Sequence, residues 1–250
     1  MSKASRRLLI VGAITSVLGG AHTVNAVLNL DIRATGVTGA GFVENGKSVI
    51  FVAPGSVVSF DIFAVVRGTN TSNGDDKFIS VAGSWRSSAA GSLQGNLAAD
   101  LIRSALDSDG NVTSPGFDGL GSSVGLQQDL DGDGDLDVGS NTDSDANNFW
   151  AARFALAPQA IGAGSQSPTT GGRRIGFGTF TVTGTGNGLT LVNFDGRGAS
   201  TAANYIQDGQ TVQEQSADGL VPLAISGIPE PTALSLAALA GLGLIRRRRA

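Results

Sequence analysis

Apolar and polar residues alternate with a period of two along most of the chain. In 27–34, Leu28, Leu30 and Ile32 are separated by single polar residues, and 56–66 repeats the pattern over a greater length. Such alternation predicts strands with one buried face and one face toward solvent. Many short strands predict an all-β fold built as a single antiparallel β-sandwich. The other predicted strands cover 47–53, 77–86, 149–157, 173–183, 188–194 and 220–225.

Glycine and one helical stripe interrupt this pattern. The glycine-rich 184–188 predicts a tight hairpin between the strands on either side of it. The chain has 37 glycines without a fixed period, which argues against a solenoid or a collagen. Residues 93–106 place Leu97, Leu101 and Ala105 on one stripe, and this spacing predicts a helix.

The N-terminus carries the features of an export signal. Three basic residues precede an apolar run at 8–18, and 24–26 offers small residues at the positions that a signal peptidase reads. We expect 1–26 to be a signal peptide with a helical apolar run that signal peptidase removes. The domain that follows then spans 27–228.

The C-terminal residues 229–250 combine a short motif, an uncharged apolar segment at 232–245 and a basic cluster. As a helix, 232–245 would be about 21 Å long, short against a bilayer core about 30 Å thick. Snorkelling arginines and local thinning of the bilayer accommodate such a difference. The alternative is a buried core helix, but 232–245 has no polar face. The motif is Pro229, Glu230 and Pro231, and the basic cluster is Arg246, Arg247, Arg248 and Arg249.

This order of motif, apolar helix and arginines resembles the PEP-CTERM sorting signal of exported proteins in Gram-negative bacteria. The resemblance implies an exosortase-type sorting enzyme that recognises 229–231 and cuts near it after export. It also implies a membrane-anchored intermediate and a final place at the cell surface or outside the cell. Whether the tail is retained stays open at this point.

Composition excludes several kinds of chemistry. The chain has no cysteine, its one histidine is His22 and its one methionine is Met1, so 27–228 contains neither imidazole nor thiol. Ser-His-Asp and Cys-His catalysis, zinc or haem ligation through these groups and disulfides are therefore excluded. Residues 27–228 contain 10 basic and 20 acidic residues. This acidic balance argues against nucleic-acid binding and favours divalent cations.

An aspartate-rich stretch is the clearest candidate for inorganic chemistry. The apolar pattern nearly vanishes over 107–148, which predicts a long loop inserted in the sandwich. Within it, carboxylates stand at positions 1, 3, 5, 7 and 9 of 129–137, with glycine at position 6. The stretch resembles a dockerin-type or EF-hand-type loop, which implies Ca²⁺ as cofactor. The predicted metal ligands are Asp129, Asp131, Asp133, Asp135 and Asp137.

The resemblance to a calcium loop is incomplete. Ser140 stands at position 12, where the family has an acidic residue, and Asp143 and Asp145 are the alternative late ligands. Convincing helices are also lacking on either side. A solvated acidic loop without a specific ion is the other interpretation. The shorter 107–111 has half of the pattern, and an ordinary turn is its better interpretation.

The remaining candidates concern sugars and the body of the fold. Trp85, Trp150 and Tyr205 could form a sugar-stacking platform, but the alternation favours core positions for both tryptophans. The strand 56–66 after a Pro-Gly turn and the strand 175–182 resemble strands of cohesin-like sandwiches, and a jelly-roll-like order fits the pattern as well. The function expected is that of an exported, non-enzymatic surface or matrix protein in the extracellular polysaccharide layer. A carbohydrate-binding or adhesion module and, less favoured, an aspartate-only hydrolase are the alternatives.

Overall fold

The computed structural model describes residues 28–228 except for 69, 71, 73, 91–92, 99–101, 104–124, 145–147, 154–157, 163–166, 168, 185–187, 199–202 and 216. The regular elements of this part are strands. They are β1 Asn29–Thr38, β2 Phe42–Asn45, β3 Ser48–Val52, β4 Val57–Val65, β5 Lys77–Ala90, β6 Gly95–Leu97, β7 Ile102–Arg103, β8 Gln127–Gln128, β9 Asp137–Val138, β10 Trp150–Arg153, β11 Gln159–Ala160, β12 Arg173–Val182, β13 Leu189–Gly196, β14 Ala203–Ile206, β15 Gln213–Gln215, β16 Asp218–Gly219 and β17 Leu223–Gly227.

The strands form two sheets. The first has the order β16-β1-β4-β12-β6, with β7 also on β12. The second has the order β15-β14-β5-β13-β17-β3-β2, and β9, β10 and β11 also pair with β5. Most pairs are antiparallel, but β1 with β16 and β17 with β3 are parallel. The predicted β-sandwich is therefore confirmed, with two parallel pairs that the prediction of an antiparallel fold omitted.

One apolar core lies between the sheets because every second residue of each long strand points inward. In β4, Val58, Phe60 and Ile62 are at most 1% exposed, and residues of both sheets join the same cluster. Burial of these side chains contributes roughly 1.5–3 kcal/mol each relative to exposure. The apolar positions of β4 that the alternation predicted to be buried are thus part of the observed core.

The predicted helix over 93–106 is wrong, because Gly95–Leu97 and Ile102–Arg103 are strands that pair with β12. Leu93 and Leu97 are both buried, since a spacing of four residues fits one face of a strand as well as one turn of a helix. Gly95 lets this strand approach closely: a Cβ there would lie 2.3 Å from the ring of Phe180.

The fold prediction was also wrong about flanking helices. The part of the chain that the structure describes contains strands and no α-helix, and no helix there is long and apolar enough to cross a membrane. The predicted signal helix within 1–26 and the hydrophobic helix over 232–245 lie outside the described residues. Neither is part of the observed fold.

The predicted hairpin around 184–188 is wrong as well. The strands on either side, β12 and β13, belong to different sheets, so the connection passes from one layer of the sandwich to the other. Glycine-rich connections allow both arrangements, because glycine sets the local backbone and not the partner of the next strand.

A buried ionic cluster joins three parts of the fold. Asp31 of β1 is 0% exposed, and its carboxylate lies 2.8 Å from Arg33 Nε and 2.6 Å from Lys47 Nζ. The hydroxyls of Ser167 and Thr170 also donate to it, at 3.3 and 3.1 Å. Burial acts to raise the pKa of Asp31, but the hydrogen bonds from Lys47 and Arg33 outweigh it and the pKa lies below its usual value. The cluster therefore holds an ionised carboxylate inside the domain.

Candidate metal centre

The aspartate-rich loop 129–137 runs beside β5, between the short strands β8 and β9. Gly132 and Gly134 have φ of 79° and 91°, which is left-handed backbone that favours glycine. The carboxylate of Asp129 accepts hydrogen bonds from both glycine amides, at 2.6 and 3.2 Å. The loop therefore closes on its own first aspartate.

The structure brings the five predicted aspartates together in two overlapping groups. Asp129, Asp131 and Asp137 each offer a carboxylate oxygen, and these oxygens lie within 4.8 Å of one another. Asp131, Asp133 and Asp135 form a second group within the same distance. Asp131 belongs to both groups. Oxygen atoms gathered from several carboxylates are the ligands that Ca²⁺ takes in proteins.

Polar groups of β5 fix three of these carboxylates. The amide of Ser87 donates to Asp137 at 2.6 Å, and the amide of Ala89 donates to Asp133 at 2.5 Å. The hydroxyl of Ser88 donates to Asp131 Oδ2 at 2.9 Å. Sequence reasoning missed these three residues. The serine pair in the middle of a strand was the available signal, since the hydroxyl of Ser87 also reaches Asp137.

Two further side chains hold the loop from β6 and the residue before it. Asn96 accepts the amide of Leu136 at 3.1 Å, and Gln94 donates to the carbonyl of Asp133 at 2.8 Å. Next to the loop, Val138 pairs with Trp85 of β5. The carboxylates therefore sit on a framework that the sandwich supplies, which is how rigid elements position a site.

Asp135 is the most unusual member of the cluster. Its side chain is 0% exposed, and within the part of the chain that the structure describes neither carboxylate oxygen accepts a hydrogen bond. Burial, reinforced by the carboxylate of Asp133 beside it, raises the pKa of Asp135 to about 8. A buried carboxylate without donors is stable only when it takes a proton or a cation. The position of Asp135 therefore fits a bound cation.

Asp137 is buried too, but it is better supported than Asp135. Burial raises the pKa of Asp137 to about 6, although hydrogen bonds from the amides of Ser87 and Leu130 act against the rise. The distance from Leu130 N to Asp137 Oδ2 is 3.0 Å. The interior side of the cluster thus has two buried carboxylates, and the exposed side is formed by Asp129 and Asp131.

Two of the candidates for the late position, Ser140 and Asp143, lie outside both groups of carboxylates among the described residues. Ser140 is engaged elsewhere: its amide donates to Ser84 Oγ at 3.0 Å and its hydroxyl accepts the amide of Thr142. Asp143 is exposed and lies 3.8 Å from Arg197 Nε. Asp145 lies outside the described residues, as do 107–111. Asp135 instead adds a side chain at position 7, where the EF-hand pattern uses the backbone carbonyl.

The aromatic candidates are core residues, as the alternation predicted for the two tryptophans. Trp85, Trp150 and Tyr205 are all 0% exposed, so none of them can stack on a sugar at the surface. The two tryptophan rings meet edge to face with centroids 5.4 Å apart, and Phe194 lies 5.0 Å from Trp85. A sugar-binding platform built from these rings is therefore absent.

The sorting residues lie beyond the described part of the chain. Pro229, Glu230 and Pro231 follow directly on its last residue, Ile228. The arginines come after the apolar segment that follows this motif. They are Arg246, Arg247, Arg248 and Arg249.

Comparison with known proteins gives little guidance. No protein-family model matches the chain, and no curated protein matches it. Among solved structures, the chain is similar to a type II cohesin domain from the cellulosome of Acetivibrio cellulolyticus, with 9% sequence identity and a TM-score of 0.34. The similarity covers 80% of this chain and 95% of that domain. A TM-score of this size assigns neither a family nor a function to the chain.

Proposed function

We propose that this chain is an exported, non-enzymatic surface or matrix protein whose β-sandwich is stabilised by Ca²⁺ at the loop 129–137. The observation that supports it most is the buried carboxylate of Asp135, which accepts no hydrogen bond from the described residues and lies in a cluster of carboxylates. Without an ion, clustered carboxylates repel one another. A divalent cation removes the repulsion and supplies the missing partner.

Calcium fits this loop better than the other common protein metals. The candidate ligand atoms are carboxylate oxygens, which suit Ca²⁺ and Mg²⁺ rather than metals that prefer nitrogen or sulfur. Carboxylates at odd positions around turn glycines give the flexible, crowded oxygen set that Ca²⁺ accepts. Mg²⁺ requires a stricter octahedral geometry and keeps several bound waters. The buried side of the cluster, at Asp135 and Asp137, leaves little room for such waters.

We expect Ca²⁺ to raise the melting temperature of residues 27–228, which contain every described strand. A ligand at one hundred times its dissociation constant stabilises the native state by about 2.7 kcal/mol. The measurement is thermal unfolding in EGTA and again in millimolar Ca²⁺, with Mg²⁺ for comparison. The Asp135→Asn variant should melt above the original protein in EGTA, because a buried amide needs neither a bound proton nor a cation, and should lose the response to Ca²⁺.

Asp143→Asn is the matched control for this experiment. It removes the same charge from the same part of the chain, but Asp143 lies beside Arg197 and outside both groups of carboxylates. This variant should keep the full response to Ca²⁺. Unchanged melting of the original protein with and without Ca²⁺ would show that the loop binds no ion that matters to the fold.

The second part of the proposal concerns the route to the surface. Signal peptidase would release the chain near Ala26, and an exosortase-type enzyme would act at 229–231 after 232–245 has entered the membrane. The support is the order of the motif, the uncharged segment and the four arginines. Arginines beside an apolar segment favour the cytoplasmic side, which leaves the acidic domain outside.

We expect Glu230→Ala to block C-terminal processing in a host that has the sorting enzyme. The changed chain should stay in the membrane fraction at its higher mass, and the original chain should reach the surface with a new C-terminus near 229–231. Mass spectrometry of the two C-termini measures this. Glu44→Ala, a glutamate of β2, serves as control and should be processed normally. Identical processing of all three chains would contradict the sorting proposal.

A non-enzymatic role is the simplest function for such a domain. The absence of imidazole and thiol from 27–228 excludes the Ser-His-Asp and Cys-His mechanisms. An aspartate-only hydrolase would need the clustered carboxylates that we propose to hold a cation. A partner in the extracellular polysaccharide layer is compatible with an exported acidic sandwich. The tryptophans that could have bound a glycan are buried, so we give this role second place.

A further inference from the structure

The chain leaves the described fold at one corner of the second sheet. The last strand, β17, ends at Gly227, which pairs with Val52 of β3. One residue later, the amide of Ile228 donates to the carbonyl of Val52 at 3.1 Å. The end of β3 and the exit of the chain are therefore fixed against each other.

This corner exposes large apolar side chains. Phe42 of β2 is 52% exposed, Phe51 of β3 is 45% exposed and Ile228 is 48% exposed. The two phenylalanine rings contact each other with centroids 5.9 Å apart. Phe51 precedes Val52, whose carbonyl accepts the amide of Ile228, so the three residues lie at the same corner of the second sheet. We call it the exit corner.

Backbone geometry maintains this exposure. The pairing of β3 with β17 shifts register between Ile225 and Gly227, which leaves an extra residue in β3. Phe51 lies in this bulge with φ of 60°, left-handed backbone that a bulky residue rarely adopts. Val49 and Val52 stay buried on either side of it. With regular pairing, Phe51 would point toward the core. The bulge instead places its ring outside the core.

The exit corner also differs in charge from the rest of the domain. The segments 39–42 and 51–56 and the residues 226–228 contain no charged residue, although 27–228 as a whole has twice as many acidic as basic residues. The nearest charged residue in β2 is Glu44, whose carboxylate accepts the hydroxyl of Ser48 at 2.8 Å. An uncharged surface with exposed aromatic rings suits the interfacial region of a bilayer, where such rings concentrate. The acidic remainder of the domain would be repelled by anionic lipid.

Chain length brings this corner close to any membrane that holds the tail. Three residues, 229–231, separate Ile228 from the apolar segment 232–245. Four steps of extended chain span at most about 14 Å. When 232–245 is in a bilayer, the exit corner therefore lies within about 14 Å of the start of the inserted segment.

We propose that the exit corner, formed by Phe42, Phe51 and Ile228, rests on the lipid surface as long as the tail is attached. This inference depends on the sorting function proposed above, since that function places 232–245 in the membrane. The contact orients the domain with β2, β3 and β17 toward the bilayer. It also holds 229–231 at the membrane surface, where a membrane-bound sorting enzyme would reach it.

Single fluorescent labels test this orientation. The chain contains no cysteine, so Phe42→Cys or Phe51→Cys can each carry one environment-sensitive NBD group. Residues 27–250 are reconstituted into vesicles of phosphatidylethanolamine and phosphatidylglycerol, with and without nitroxide-labelled lipid. Labels at 42 and 51 should shift to shorter wavelength and lose most of their fluorescence to the nitroxide lipid.

Val212→Cys is the matched control. Val212 is apolar and 47% exposed. It follows β14, which pairs with β5 at Lys77. The exit corner lies toward the other end of β5, at Ala90, so Val212 is far from it. Its label should stay bright and unshifted. A fourth label at Leu239, within the apolar segment, reports insertion of the tail.

The outcomes separate this inference from the function on which it depends. Quenching at 239 without quenching at 42 and 51 would overturn the orientation and leave the inserted tail in place. An unquenched label at 239 would overturn both. Labels at 42 and 51 that shift with protein concentration, and not with nitroxide lipid, would show that a second copy of the chain covers the corner, which also overturns the proposal.

Discussion

Replacing Asp31 by alanine is expected to lower the free energy of unfolding by about 3–5 kcal/mol, the cost of breaking a buried ion pair. The change leaves the ammonium group of Lys47, which lies 2.6 Å from Asp31 Oδ1, without its carboxylate. It also removes the acceptor that Ser167 and Thr170 use. Urea denaturation of residues 27–228 measures the effect.

The contribution of Asp31 should also depend on pH. The pKa of Asp31 is lower in the folded protein than its usual value of about 3.9. A carboxyl group with a depressed pKa stabilises the fold above its unfolded pKa, and this contribution is lost as the pH falls through the folded value. The original protein and the alanine variant should therefore converge in stability as the pH falls below about 3.9.

Asp61→Ala is the control for this prediction. Asp61 also pairs with an arginine, Arg174, but both side chains are partly exposed, so the pair is screened by water. Its loss should cost no more than about 1 kcal/mol. Equal effects of the two substitutions would show that the Asp31 cluster is no more important than a surface ion pair.

Replacing Trp85 by alanine should lower the free energy of unfolding by about 3–5 kcal/mol, as large core truncations do. The ring is 0% exposed and contacts both Trp150 and Phe194. Because Trp85 pairs with Val138, the residue after Asp137, its loss should also weaken Ca²⁺ binding. Denaturation and calcium titration measure the two effects separately.

Phe177→Ala is the matched control for Trp85. Phe177 is an aromatic residue of β12, but its ring is 36% exposed and lies under the guanidinium of Arg174. We expect a loss near 1 kcal/mol, in the range of partly exposed contacts, and no change in calcium affinity. A large loss for Phe177 and a small one for Trp85 would contradict the assignment of the core.

Period-two alternation was enough to predict the longer strands because it records which side chains reach the core, whereas short strands such as Phe42–Asn45 and Ala203–Ile206 were not predicted. The predicted strands at 56–66 and 173–183 correspond to Val57–Val65 and Arg173–Val182. The partners of these strands could not be predicted from the sequence. β12 pairs with β4 across more than a hundred residues, while its neighbour in sequence, β13, lies in the other sheet. Periodicity predicts which face of a strand is buried, but the strand with which it pairs depends on the whole fold.

The candidate site was predictable in its ligand types and less so in its geometry. Aspartates at alternate positions around Gly134 identify the loop from sequence. The deep burial of Asp135 depends on how the loop packs against β5, and no local pattern contains that information. Asp31 gives the same lesson: alternation placed it on a solvent face, but Ser167, Thr170 and Lys47 cover it.

The position of β17 has a consequence for how the protein matures. This strand comes last in the described chain, yet it lies inside the second sheet, between β13 and β3. A chain threading through an export channel from its N-terminus would lack this interior strand until residue 227 has emerged. During such export the second sheet would be complete only when almost the whole domain has crossed. The topology would then place the closing of this sheet after translocation.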